Sequence, residues 1–159
     1  MARKNLSAGL LLYRRRSGEL EVLLAHPGGP FWTNKDDGAW TIPKGLVDEG
    51  EDHLATAKRE FEEELGVKPD ASEYLELGEV RQKAGKTVVG FAFEGDLDPA
   101  AIKSNTFKAQ WPPRSGQWRT FPEVDRAEFF SIERARTKIN PAQTEFLSRL
   151  EALLEPGGR

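Results

Sequence analysis

The chain has no cysteine, and in 159 residues only two histidines and one methionine. Disulfides are thereby excluded, and so are thiolate metal sites. With only His26 and His53 to draw on, a conventional zinc centre is not expected either. Freedom from cysteine fits a reducing compartment, so the expected location is cytoplasmic. Long apolar runs are also missing. None approaches the ~20 residues needed to span a bilayer, so no membrane partner is expected. The basic start Met1-Ala2-Arg3-Lys4, running into apolar Ser7 to Tyr13, has the outline of a signal peptide. The run is too short for one, however, and Arg14-Arg15-Arg16 interrupts it. An excess of positive charge is absent too. The 23 Lys and Arg against 26 Asp and Glu leave a formal net charge of −3, which offers no bulk attraction to long nucleic acid.

What is present suits one domain over residues 1–159, long enough for a real core. Leu6 to Tyr13 is apolar enough for a strand buried on both faces. Ser17-Gly18 marks a turn into a second strand, Leu20 to Ala25. A loop from Gly28 to Gly38 carries Phe31 and Trp32, and Trp40 to Ile42 reads as a short strand. Tyr74 to Gln82 and Thr87 to Glu94 read as two strands of a hairpin joined by Lys83-Ala84-Gly85-Lys86. Asn105 to Glu123, with Trp111, Pro112, Pro113, Gly116 and Trp118, reads as a long irregular stretch, and loops of that length are often functional. Glu128 to Phe130 suits a strand, and Ser131 caps a short helix to about Lys138. Asn140-Pro141 opens a last helix with Phe146, Leu147, Leu150, Leu153 and Leu154 as its buried stripe. Pro156 to Arg159 should fray.

The acidity is uneven and concentrated between Asp48 and Glu64. Leu54, Ala57, Phe61 and Leu65 form an apolar stripe of helical period. Asp52 is placed to cap that helix and Gly66 to end it in a left-handed conformation, so a helix is expected from about Asp52 to Leu65. Glu60, Glu63 and Glu64 then emerge on one face. Three carboxylates there repel one another, and a hard divalent cation such as Mg²⁺ or Mn²⁺ neutralises them best. Arg59 stands beside them as a bidentate brace. The plain alternative is a solvated acidic face.

Within Gly45 to Val67, the residues Gly45, Glu51, Arg59, Glu60, Glu63, Glu64 and Gly66 keep the spacing of the Nudix box, the signature of a family that hydrolyses a diphosphate linked to another group. At a usage of roughly 0.06 per residue, seven such matches arise by chance about once in 10^8 starts. Phe61 is bulkier than the aliphatic usual at its slot. The resemblance implies an α/β fold, an α/β/α sandwich around a mixed β-sheet. It implies a cation held by Glu60, Glu63 and Glu64, with either Glu60 or Glu64 as general base on the attacking water and Glu51 as partner of Arg59. The Lys44 or Gly45 carbonyl is a further candidate ligand. The family often adds a glutamate from a loop facing the helix, and Glu123 is the candidate here, with Glu128 behind it.

Ser7-Ala8-Gly9, Tyr13-Arg14 and Trp40-Thr41-Ile42-Pro43-Lys44-Gly45 look like the branch of that family acting on diadenosine and diphosphoinositol polyphosphates. The expected substrate is therefore a nucleotide polyphosphate, best diadenosine tetraphosphate. The alternatives are nucleoside triphosphates, oxidised or not, and the 5′ end of RNA; a non-catalytic sensor comes last. Lys44, Trp40, Trp32 and Arg81 are candidate substrate contacts. Against them stand plainer roles: a surface lysine, core packing for the tryptophans and a solvated hairpin for Arg81. His26 and His53 read as surface residues. A monomer or a homodimer is expected.

Overall fold

Strand β1, Leu6–Arg16, lies at the centre of the molecule, a computed structural model that describes residues 5–155. The basic start and the end from Pro156, which is expected to fray, lie outside the described residues. Residues of β1 alternate between two cores, as period-two geometry requires. Leu6, Ala8, Leu10 and Leu12 face one core, and Leu11 and Tyr13 the other. Strand β2, Glu19–Pro27, returns antiparallel after a turn in which Ser17 and Gly18 both take positive φ. Strand β3, Lys44–Leu46, shares that edge of β1 farther along.

On the other side β5, Thr87–Glu94, runs parallel to β1, flanked by antiparallel β4, Leu75–Arg81. Strand β8, Val124–Ser131, pairs with β2 and completes the order β4-β5-β1-β2-β8, with β3 paired to β1. One parallel pair among antiparallel ones makes the sheet mixed.

Helix α1, His53–Leu65, covers one face with Ala57, Phe61 and Leu65, and Phe61 meets Phe93 edge-on at 5.4 Å. Helices α2, Ile132–Lys138, and α3, Thr144–Leu154, cover the other. Gly9 and Gly90 are cross-strand neighbours on that second face. A Cβ on Gly90 would stand 2.7 Å from the Phe146 ring, and one on Gly9 2.6 Å from Ile42. The bare pair lets both side chains sink onto the sheet.

Four local expectations are corrected. Trp40 to Ile42 is no ladder strand; Thr41 and Trp40 make isolated bridges to Ala25 and Ile139. Pro43 has no N–H to continue a ladder, and its carbonyl accepts from the Leu10 amide at 3.0 Å. The stretch from Asn105 to Glu123 is a hairpin, β6 Thr106–Gln110 and β7 Trp118–Pro122, in a sheet of its own. Its strands are mostly exposed, so no alternation of apolar residues announces them. Asn140 caps a 3₁₀ turn, Pro141–Gln143, and α3 begins only at Thr144. Leu153 is 52% exposed, outside the stripe of Phe146, Leu147 and Leu150. No helix among the described residues is long and apolar enough to cross a membrane.

Candidate functional site

Helix α1 is fixed at both ends by its own sequence. The Asp52 carboxylate accepts from the Ala55 amide at 3.1 Å. Gly66 ends the helix at φ 74°, where a Cβ would also stand 2.6 Å from the Lys103 carbonyl. Between these ends Glu60 and Glu64 project one turn apart toward β3 and the hairpin. A carboxylate oxygen of each lies within 4.8 Å of the other and of one from Glu123. Glu123 arrives there through backbone bonds. Its amide donates to Asn105 at 2.8 Å, the Asn105 amide donates to the Glu63 carbonyl at 2.8 Å, and its own carbonyl accepts from Gly28 at 2.9 Å.

Glu64 is 7% exposed. Burial, and then the neighbouring Glu60 and Glu123, push its carboxyl up to about 9. Burial also raises Glu60, with Glu63 and Glu123 adding to it and Arg59 opposing. Glu123 is raised by burial and by Glu63. Acids so placed hold their charge less readily than free carboxyls, and a cation among them offsets that cost. All donors are hard oxygens, and the set fits a hard divalent cation.

Glu63 stands outside this trio. Its carboxylate faces the Arg59 guanidinium at 3.3 Å. Arg59 is gripped mainly by Glu51, which accepts from Nε and Nη2 at 3.0 Å each. Nη1 donates to Glu60 at 2.9 Å, and Nη2 reaches the Leu46 carbonyl at 3.3 Å. The hydrogen bonds from Arg59 hold the Glu51 carboxyl at about 2 and raise the guanidinium further above its ordinary value. Arg59 thus fixes the Glu60 rotamer from one side, and Gly45 fixes it from the other. Gly45 lies in β3 opposite Ala8, and a Cβ there would stand 2.0 Å from the Glu60 Cδ. The glycine is needed for this close approach and not for a tight loop before the helix.

Lys44 is half-buried beside the trio and not a surface lysine. Burial pulls its ammonium down, Glu64 and Glu60 hold it up, and Lys86 lowers it again. Trp40 is 1% exposed, so it is withdrawn as a substrate contact. Its ring meets Phe130 and His26 edge-on, and Nε1 donates to Asp36 at 2.8 Å. Trp32 is 38% exposed on its loop, with the Lys35 ammonium 5.6 Å above the ring. Arg81 is exposed at the end of β4 opposite Thr87, and no described contact links it to the trio. Glu128 is exposed in β8 opposite Leu24. His53 is exposed, but His26 is buried. Its Nδ1 lies 2.9 Å from Asp125 and its Nε2 2.7 Å from the Lys35 carbonyl.

Three positioning residues were not singled out from the sequence. Asn105 and Gly28 tether Glu123. Gln143, fully buried, accepts from the Ile42 amide at 3.0 Å and donates to Gln82 at 2.9 Å, which steadies the segment entering β3. Only backbone pairing and burial reveal these roles, and neither has a local signature.

Known proteins share this arrangement of chain. Nudix hydrolase 7 of Arabidopsis thaliana is 31% identical over 111 residues, 67% of this chain and 38% of that protein. The asymmetrical bis(5′-nucleosyl)-tetraphosphatase of Caenorhabditis elegans is 41% identical over 61 residues, 38% of this chain and 40% of that one. The matched segments thus span about two fifths of these curated relatives. A solved binary complex of C. elegans Ap4A hydrolase superposes with a TM-score of 0.63 at 24% identity, over 93% of this chain and 97% of that chain, a likeness of fold. The family model described as NUDIX domain matches residues 3–150, and the chain belongs to that family.

Proposed function

We propose that this chain hydrolyses a diphosphate linkage in a nucleotide polyphosphate, best diadenosine tetraphosphate, with Mg²⁺ or Mn²⁺ held by Glu60, Glu64 and Glu123. The observation that carries this is the convergence of three carboxylates from two distant segments within 4.8 Å, one of them almost fully buried. Burying Glu64 with Glu60 half-buried and Glu123 close by costs stability unless a cation and its anionic substrate are the reason for it. When bound, the cation offsets charge on phosphoryl oxygens and acidifies a coordinated water.

The chain supplies the rest. Glu60, held by Arg59 and pressed against Gly45, or Glu64 takes the proton of the attacking water. Glu63, at the rim of the same face, is the remaining candidate ligand. Lys44 places a positive charge beside the trio for a phosphate oxygen. Fixed side chains are what phosphoryl transfer asks for, since its catalysis is mainly positioning and charge stabilisation. Support for the dinucleoside substrate comes from the C. elegans tetraphosphatase, whose match to this chain is 41% identical.

The test is incubation of purified protein with Mg²⁺ and a panel: diadenosine tetraphosphate, nucleoside triphosphates including oxidised ones, and 5′-triphosphorylated RNA. Products are separated by chromatography. Cleavage of diadenosine tetraphosphate to unequal nucleotides is expected. Turnover confined to mononucleoside triphosphates or to RNA moves the substrate to that class, and no turnover of any of them removes the hydrolase reading.

A further inference from the structure

Charge along the chain is distributed against its average. From Pro99 to Pro122 there is no Asp or Glu, while Lys103, Lys108, Arg114 and Arg119 give this segment four positive charges in a protein of net −3. The segment holds the β6–β7 hairpin, whose base is tied to α1 by Asn105 and which runs on into Glu123. Hydrophobic surface gathers in the same place. Of the six exposed large hydrophobic residues described, Phe31, Trp32, Phe107 and Trp118 lie on this hairpin or on the loop packed against it.

The register of the hairpin sorts these residues by face. Phe107 pairs with Phe121 and Ala109 with Arg119, and the Glu123 amide bonds to Asn105 two rungs beyond Phe107–Phe121, just past the last pair, Thr106–Pro122. Alternation therefore puts Glu123, Phe121, Phe107 and Arg119 on one face, with Trp118 and Lys108 on the other. The loop closes onto the first face. Gly29 lies so close to the Phe107 ring that a Cβ would stand 2.9 Å from it, and Phe31 meets Trp111 edge-on at 5.9 Å. A strip thus leads from the acid trio at Glu123, over aromatic rings, to Arg119 about 14 Å along the strand.

We propose that this strip is the site for one nucleoside of the substrate, with the base stacked on the exposed faces of Phe31 and Phe107 and Arg119 beside it. The proposal rests on the hydrolase reading above and names what selects the substrate there. A base has an apolar face and carries an anionic tail. An aromatic floor set in a locally basic segment, ending at a phosphate-cleaving centre, complements both. Phe31 is 69% exposed on a loop, so its ring contributes little to the core and most of it is open to a ligand beside the Trp111 contact.

The test uses two small probes and the full chain. Wild type is titrated calorimetrically, in EDTA, with adenosine 5′-monophosphate and with ribose 5-phosphate, which lacks the base. Adenosine 5′-monophosphate should bind about tenfold tighter. Phe31→Ala and Phe107→Ala should each narrow that difference, and Phe31→Tyr should keep it. In turnover of diadenosine tetraphosphate, Phe31→Ala should raise KM by about tenfold and leave kcat within about twofold. Equal binding of the two probes, or alanine variants that leave the difference and KM unchanged, would overturn the proposal. Probe discrimination through Phe31 in a protein that hydrolyses nothing would keep this site and remove the hydrolase reading. Turnover without any dependence on Phe31 or Phe107 would do the reverse.

Discussion

Helix α1 and the β6–β7 hairpin meet at the acid trio but are specified in opposite ways. The helix carries its instructions within itself: a capping Asp52, a buried stripe of Ala57, Phe61 and Leu65, and a terminal Gly66. Its glutamates are placed as soon as it folds. The hairpin has exposed strands and a tip rich in Pro and Gly, and it takes its position from elsewhere, through Asn105 to Glu63 and Glu123 to Gly28. One region carries its acids on a self-contained helix, and the other brings Glu123 to them through backbone bonds to distant segments.

Neutralising one acid from each region tests whether they form one site. Glu64→Gln should lower kcat by roughly 10^3-fold with the fold intact by circular dichroism. Glu123→Gln should cost about tenfold to a hundredfold. Added Mg²⁺ should raise the Tm of wild type and not that of Glu64→Gln. A Glu123→Gln enzyme as active as wild type would confine the chemistry to the helix.

Gly45→Ala asks how tightly the strand is fitted to the helix. Its Cβ would overlap the Glu60 carboxylate, so the variant should lose about 1–3 kcal/mol in denaturant unfolding and much of its activity. Unchanged stability would mean that Glu60 moves aside freely.

The Arg59–Glu51 pair has a pH signature of its own. Its carboxyl is held at about 2 against an ordinary 4.5. The folded state therefore binds that proton less readily than the unfolded chain. The stabilisation is complete above the ordinary value and is lost as pH falls through about 2. The Tm gap between wild type and Glu51→Gln should be widest near neutrality and shrink over that window. A gap that persists below it would make the contribution of Glu51 other than electrostatic.

The smallest effect is expected at Leu153. Leu153→Glu should change stability by less than about 0.5 kcal/mol, because the side chain is half outside in α3, whereas Leu150→Ala should cost about 2–5 kcal/mol.

Most of the sheet and all of α1 were legible in the sequence, because alternation and helical period are local signals. Leu6 to Tyr13 is apolar enough to declare burial on both faces. One source of error is that burial is set by what packs on an element. The sequence leaves Trp40 between substrate contact and core packing, and the structure decides for packing, since Phe130 and His26 meet its ring. His26 looked exposed as a lone polar residue, yet Asp125 and the Lys35 carbonyl satisfy both ring nitrogens in the interior.

By itself the sequence determined the helix, the face from which Glu60, Glu63 and Glu64 project with Arg59 beside them, and the hard-cation chemistry those residues suit; the pairing of Arg59 with Glu51 was what the resemblance implied. A 3.6-residue period needs no information from outside the segment. Only the tertiary structure decided that Glu123, 59 positions beyond Glu64, completes the trio while Glu63 turns to Arg59. It alone withdrew Trp40, half-buried Lys44 and folded an irregular-looking stretch into a hairpin. Those outcomes depend on backbone hydrogen bonds and desolvation between segments far apart in the chain, and no spacing within either segment encodes them.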